Sequence, residues 1–135
     1  MRTINYQLSG GEEFIINNRR HFSFLWNYSY SMKKFKVYGR DGYALYAHEK
    51  SGMEILIQDE GAMLIYIKRK PTKDVRTERD IMFEVSEICQ EFGVDKCASD
   101  LSVEQTFKWY SEFVKSHLLP VIKGEKWIDE LLRDR

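Results

Sequence analysis

Phe35-Lys36-Val37-Tyr38, Tyr43-Ala44-Leu45-Tyr46-Ala47-His48, Met53-Glu54-Ile55-Leu56-Ile57-Gln58 and Ala62-Met63-Leu64-Ile65-Tyr66-Ile67 are four short runs rich in β-branched and aromatic residues. Gly39-Arg40-Asp41-Gly42, Glu49-Lys50-Ser51-Gly52 and Asp59-Glu60-Gly61 separate them, and Lys68-Arg69-Lys70-Pro71 closes the series. Glycine in each connection supplies the positive φ that tight hairpins require. The stretch therefore predicts an antiparallel β-meander of about four strands over residues 35–69.

Outward from the meander, the C-terminal side predicts helices. Glu84 to Phe92 places Val85, Ile88, Cys89 and Phe92 on one face, with Gly93 at the C′ position. Ser102 and Gln105 have the spacing of a capping box. Behind it, Val103, Phe107, Tyr110, Phe113, Val114 and Leu118 form one stripe, which Pro120 should kink or end. After Gly124, Trp127, Ile128, Leu131 and Leu132 predict a last amphipathic helix. Lys68 to Asp80 reads as the crossing between the two parts. The expected fold class is α+β, one domain over residues 1–135, with C-terminal helices packed on one face of the sheet.

The N-terminal side gives two incompatible patterns. Phe22, Phe24, Trp26, Tyr28, Tyr30 and Met32 alternate with mostly polar residues, which predicts a long strand broken only by Leu25. A capping box of Ser9 with Glu12 would instead open a helix, with Ile15, Phe22, Leu25, Trp26, Ser29 and Met32 sharing a face. Residues 12–32 are thus helix or long strand.

The 135 residues are 43% hydrophobic and 31% charged, the balance of a globular domain with a single core. Lys and Arg equal Asp and Glu at 21 each, so no global field favours nucleic acid or an anionic membrane. Residues 1–70 carry 11 basic against 7 acidic residues and the remainder 10 against 14, a mild +4/−4 polarity. Cys89 and Cys97 without an apolar leader point to a reducing, cytoplasmic setting.

The chain has no phosphate-binding loop, dinucleotide fingerprint, nucleophile elbow or His-Glu-x-x-His motif. His21, His48 and His117 stand in no catalytic or metal-ligand spacing, so no catalytic residue, metal or cofactor is expected. The adjacent acids Glu12-Glu13, Asp59-Glu60 and Asp129-Glu130 read as solvated surface.

With Val37, Ile55, Ile57, Met63, Ile65 and Ile67 toward the helices, the opposite sheet face presents Tyr38, Glu54, Leu56, Gln58, Leu64, Tyr66 and Lys68. Tyr46 and His48 join it if the second strand keeps that parity. Tyr38, Tyr46, His48, Glu54, Gln58, Tyr66 and Lys68 are the candidate partner-binding residues, since aromatic side chains among a few charges suit a protein interface. The competing expectation is that residues 12–32 cover Leu56, Leu64 and Tyr66. Two other functions remain. Lys33, Lys34, Lys36 and Arg40 with Lys68, Arg69 and Lys70 could bind nucleic-acid phosphates beside Tyr38 and Tyr66, although lysines also guard sheet edges. A ligand or substrate pocket between sheet and helices, lined by Trp109, Tyr110 and Trp127, is the other.

The order of elements resembles the small α+β immunity proteins of bacterial polymorphic and contact-dependent toxin systems. The residues that carry this are Phe22-Ser23-Phe24-Leu25, Phe35-Lys36-Val37-Tyr38, Met53-Glu54-Ile55-Leu56-Ile57, Ala62 through Arg69, and Leu119-Pro120-Val121-Ile122-Lys123-Gly124-Glu125-Lys126-Trp127. The resemblance implies a non-enzymatic inhibitor that neutralises a cognate toxin domain by occluding it. It also implies a helical segment around Phe22. It assigns no residue a role, and the neutral charge departs from the acidic inhibitors of basic nucleases.

Overall fold

A computed structural model describes residues 10–39, 41–70 and 81–134. Ser9, Arg40 and the Pro71–Asp80 part of the expected crossing lie outside them. The architecture is α+β: a five-stranded antiparallel sheet in the order β1-β2-β3-β4-β5 with helices on one face. The strands are β1 (Tyr30–Tyr38), β2 (Asp41–His48), β3 (Glu54–Asp59), β4 (Met63–Lys68) and β5 (Met82–Glu84). The meander thus starts five residues before Phe35 and gains a short fifth strand.

The N-terminal segment is helical through Tyr28, and the expected long strand is reduced to Tyr30–Met32 at the start of β1. Helix α1 (Gly10–Phe22) has Glu12 and Glu13 in its first turn and Arg19, Arg20 and His21 in its last, each sign opposing the helix dipole. A 3₁₀ helix (Ser23–Tyr28) follows, and Ser29 turns the chain into β1 with φ 67°. In β1, Tyr30 and Met32 point toward the helices; then Lys33 is left unpaired, since Met32 lies opposite Tyr46 but Lys34 opposite Leu45. This bulge inverts the parity, so Phe35 and Val37 continue the inward face.

The inward face of the sheet is Ala44, Tyr46, Ile55, Ile57, Ile65 and Ile67, all buried. Against it pack Phe14 and Phe22 of α1, Phe107 and Tyr110 of α2 (Val103–His117), and Val85 and Ile88 of a second 3₁₀ helix (Val85–Phe92). The segment beginning at Glu84 is therefore a 3₁₀ helix capped by Glu84, and Gly93 ends it at φ 72°. The Ser102–Gln105 capping box is present with both of its bonds. Pro120 sits at the start of α3 (Leu119–Ile122) after α2 has ended, where a missing N–H is harmless. The last helix, α4 (Ile128–Arg133), follows with Trp127 as its N-cap residue. No described helix is long and apolar enough to cross a membrane.

Phe14 joins the layers. Its ring is fully buried, 5.7 Å from Phe35 and 5.6 Å from Phe107. It lies directly over Gly42, where an added Cβ would sit 2.9 Å from Phe14 Cδ2 and 3.2 Å from the Lys36 carbonyl oxygen. Gly42→Ala is expected to destabilise the fold by about 1–3 kcal/mol in urea unfolding. That cost should shrink by about 1 kcal/mol in a Phe14→Leu background, since the two positions share the contact.

Candidate functional site

The outward face of the sheet forms three cross-strand rows. Lys36, Tyr43, Gln58 and Leu64 make one; Lys34, Leu45, Leu56, Tyr66 and the buried Glu84 the next; Ser31, Ala47, Glu54, Lys68 and Met82 the third. Pairing fixes these neighbours, because residues directly opposite on antiparallel strands project to the same side. Tyr43, Leu45, Leu56, Leu64, Tyr66 and Met82 are half-buried among one another, and none belongs to the packed core. The face holds a depression of about 550 Å³ lined by Tyr43, Leu45, Leu56, Tyr66 and Met82. Residues 12–32 lie on the other side of the sheet, through the Phe14 and Phe22 packing, so they do not cover it.

Five of the seven residues expected at an interface share this face. Glu54, Gln58, Tyr66 and Lys68 line or border the depression. Tyr38 ends β1 at its rim, where its hydroxyl donates to Glu60 Oε1 at 3.1 Å; that bond and the nearby carboxylates raise the Tyr38 pKa.

Tyr46 and His48 do not join them, because β2 takes the opposite parity. Tyr46 is 1% exposed on the core face, and its hydroxyl accepts a hydrogen bond from Asn18 Nδ2 at 2.9 Å. Burial raises its pKa. His48 Nδ1 accepts from the backbone N–H groups of Lys50 and Ser51 at 3.2 and 3.0 Å, and its ring meets Tyr30 edge-on at 5.2 Å. It fastens the β2–β3 turn. The small residues Gly42 and Ala44 were the sequence signal for this parity, since only small side chains fit where a helix lies close on a strand. By the same parity, Tyr43 and Leu45 belong to the outward face. Lys34 reaches it only through the bulge at Lys33, and Met82 only through β5.

Trp109, Tyr110 and Trp127 serve the core instead of lining one shared pocket. Trp127 packs edge-on against Phe83 at 5.3 Å under the Arg69 guanidinium, while Trp109 stacks on Phe113 at 5.6 Å. Tyr110 donates to the Met63 carbonyl oxygen at 3.2 Å and lines a separate cavity of about 330 Å³ with Asp59 and Cys97. Burial pushes both the Asp59 carboxyl and the Cys97 thiol up, which withholds the thiolate a nucleophile would need. Among the described residues no three His, Cys, Asp or Glu side chains group as metal ligands.

Comparison with protein-family models, curated proteins and solved structures found no match to this chain.

Glu84, opposite Tyr66, is 4% exposed and caps the second 3₁₀ helix by accepting the Ser86 N–H. Burial raises its pKa above 4.5, and the bonds from Ser86 only partly oppose this. The folded chain thus holds the Glu84 proton more tightly than the unfolded chain, so its contribution to stability falls as pH rises through that window. Glu84→Gln keeps an acceptor for Ser86 and removes the titration. Its stability relative to wild type should increase from about pH 4 to about pH 7, as read by urea unfolding across that range.

Proposed function

We propose that this protein is a non-enzymatic binding module whose outward sheet face docks on a partner protein. The observation that carries the reading is the set of six half-exposed apolar and tyrosine side chains arranged over adjacent strands outside the core. A preformed patch on paired strands loses little entropy on binding, and aromatic side chains supply most of the energy at such centres. Lys34, Lys36 and Lys68 border it together with the acids Glu54 and, at the Tyr38 end, Asp41 and Glu60. The partner surface is therefore apolar at its centre, with charges of both signs at its edge.

The immunity-type resemblance gives this partner a concrete form: a toxin domain whose working surface is occluded by the sheet. A nucleic acid is the competing occupant, because the same lysines stand beside Tyr43 and Tyr66.

The test is retrieval of the tagged protein from its native host, and with the product of the adjacent gene, using wild type, Leu56→Glu and the distant surface variant Glu112→Ala. One stoichiometric protein should be retained by wild type and Glu112→Ala. Leu56→Glu should weaken that complex by about tenfold or more while its thermal midpoint stays within a few degrees. Equal retention by Leu56→Glu would remove the sheet face as the site. Capture of nucleic acid with steep salt dependence would replace the protein partner.

A further inference from the structure

A second concavity lies on the opposite side of the molecule, between α1, the first 3₁₀ helix and β1. It has a volume of about 400 Å³. Six large hydrophobic side chains are exposed in the described structure, and four of them, Ile15, Trp26, Met32 and Phe35, form its walls. Trp26 alone is 55% exposed. The floor, by contrast, is polar. Asn18 and Tyr46 both line it and are each 1% exposed. With Asn18 Nδ2 donating to the Tyr46 oxygen, Asn18 Oδ1 has no partner among the described residues. Turning the amide over would satisfy the oxygen and leave the NH2 instead. In either orientation the buried amide keeps one unpaired atom. In the orientation described, the Tyr46 hydroxyl proton is also free to donate.

Buried polar atoms in folded proteins are almost always paired, so an orphan at the bottom of an apolar groove calls for a complement. Apolar walls with a few convergent polar groups are the usual composition of a small-molecule site, and this volume lies within the usual range. We propose that this groove binds a small, flat, largely apolar molecule bearing one uncharged group that both donates and accepts, such as a primary amide or a hydroxyl. Its donor would meet Asn18 Oδ1 and its acceptor the Tyr46 O–H, while the rings lie between Trp26, Met32 and Phe35. Among the described residues Arg19 is the charged one that lines the groove, and it is exposed. A carboxylate would lose its hydration there without a counter-charge. The site is separate from the outward sheet face and stands or falls independently of it.

The test uses the full chain and three probes of one shape: 2-naphthamide, 2-naphthoate and naphthalene. Titrations follow the Trp26 indole and Asn18 side-chain amide signals by NMR. The amide should saturate both signals and bind about tenfold or more tightly than naphthoate or naphthalene. Asn18→Leu/Tyr46→Phe replaces both floor groups by apolar ones of similar shape. It should keep naphthalene binding and abolish the preference for the amide, with a thermal midpoint no lower than wild type. Tyr46→Phe alone, which removes one oxygen, should cut the preference by about threefold or more and serves if the double variant fails to fold. Absence of a saturable shift with all three probes would overturn the proposal. So would naphthoate binding as tightly as the amide, which would instead indicate an anion held at Arg19. An amide preference that survives in a folded floor variant would overturn it too.

Discussion

The approach of α1 to the sheet depends on Phe14 lying against a glycine. Gly42 has no side chain, so the Phe14 ring reaches the backbone of β2 and touches Phe35 on one side and Phe107 on the other. A single buried ring thereby links the edge hairpin, the N-terminal helix and the long helix α2. Everything else on that side follows from the depth of this contact. Ala44 is small, the Tyr46 hydroxyl meets Asn18 of α1, and the Ser111 hydroxyl comes close enough to bond the His21 carbonyl oxygen at 2.8 Å. The opposite side of the sheet is freed by the same constraint. With α1 committed to Gly42, residues 12–32 pack on that side and do not cover Leu56 and Tyr66.

The parts of the fold that were legible in the sequence are those where local chemistry and tertiary packing agree. Gly39, Gly52 and Gly61 have φ of 62°, 73° and 85°, so the hairpins were marked by the residues that make them possible. The Ser102–Gln105 box and Gly93 marked helix ends for the same reason. The segment before β1 was illegible because its apolar period misleads. Leu25, the one break in the alternation, is 1% exposed, whereas the in-phase Trp26 is 55% exposed. Phe22, Leu25 and Tyr28 recur every third residue, the period of the 3₁₀ helix that holds the last two, and all three pack on the core. Then the bulge at Lys33 moves the inward face from even to odd positions, so no fixed period describes β1.

The candidate interface was legible to the same extent as strand parity. Glu54, Gln58, Tyr66 and Lys68 follow from β3 and β4, where Ile55, Ile57, Ile65 and Ile67 mark the inner face. In β2 both faces carry large side chains, and parity had to come from Gly42 and Ala44, a packing requirement and not a hydrophobic one. The contribution of Met82 depends on a three-residue strand, too short to show any period.

Helix α1 departs furthest from the rule that apolar residues face inward. At positions i, i+3, i+4 and i+8 its buried side chains are Phe14, Asn17, Asn18 and Phe22, while Ile15 and Ile16 are exposed at 37% and 39%. Exchanging the asparagines with the isoleucines would give a conventional amphipathic helix. The observed order loses on both sides, for it buries two amides whose Oδ1 atoms lack partners and leaves two apolar side chains in water. Stability alone selects against that arrangement, and the charges at the two ends of α1 cannot compensate for it, since each adds only about 0.3–1 kcal/mol. Local rules broken in a coherent way mark places where a sequence serves something other than its own folding. Here the departures coincide with a cavity: Ile15 and Asn18 meet at the groove beside Trp26 and Phe35. The outward sheet face expresses the same trade in another form, because apolar residues on paired strands gain nothing from the core. The two surfaces differ in their polar chemistry. The sheet face has its charges at the rim and suits a large partner that excludes water by area, whereas the groove has neutral polar atoms at its floor and suits a small molecule that pairs with them.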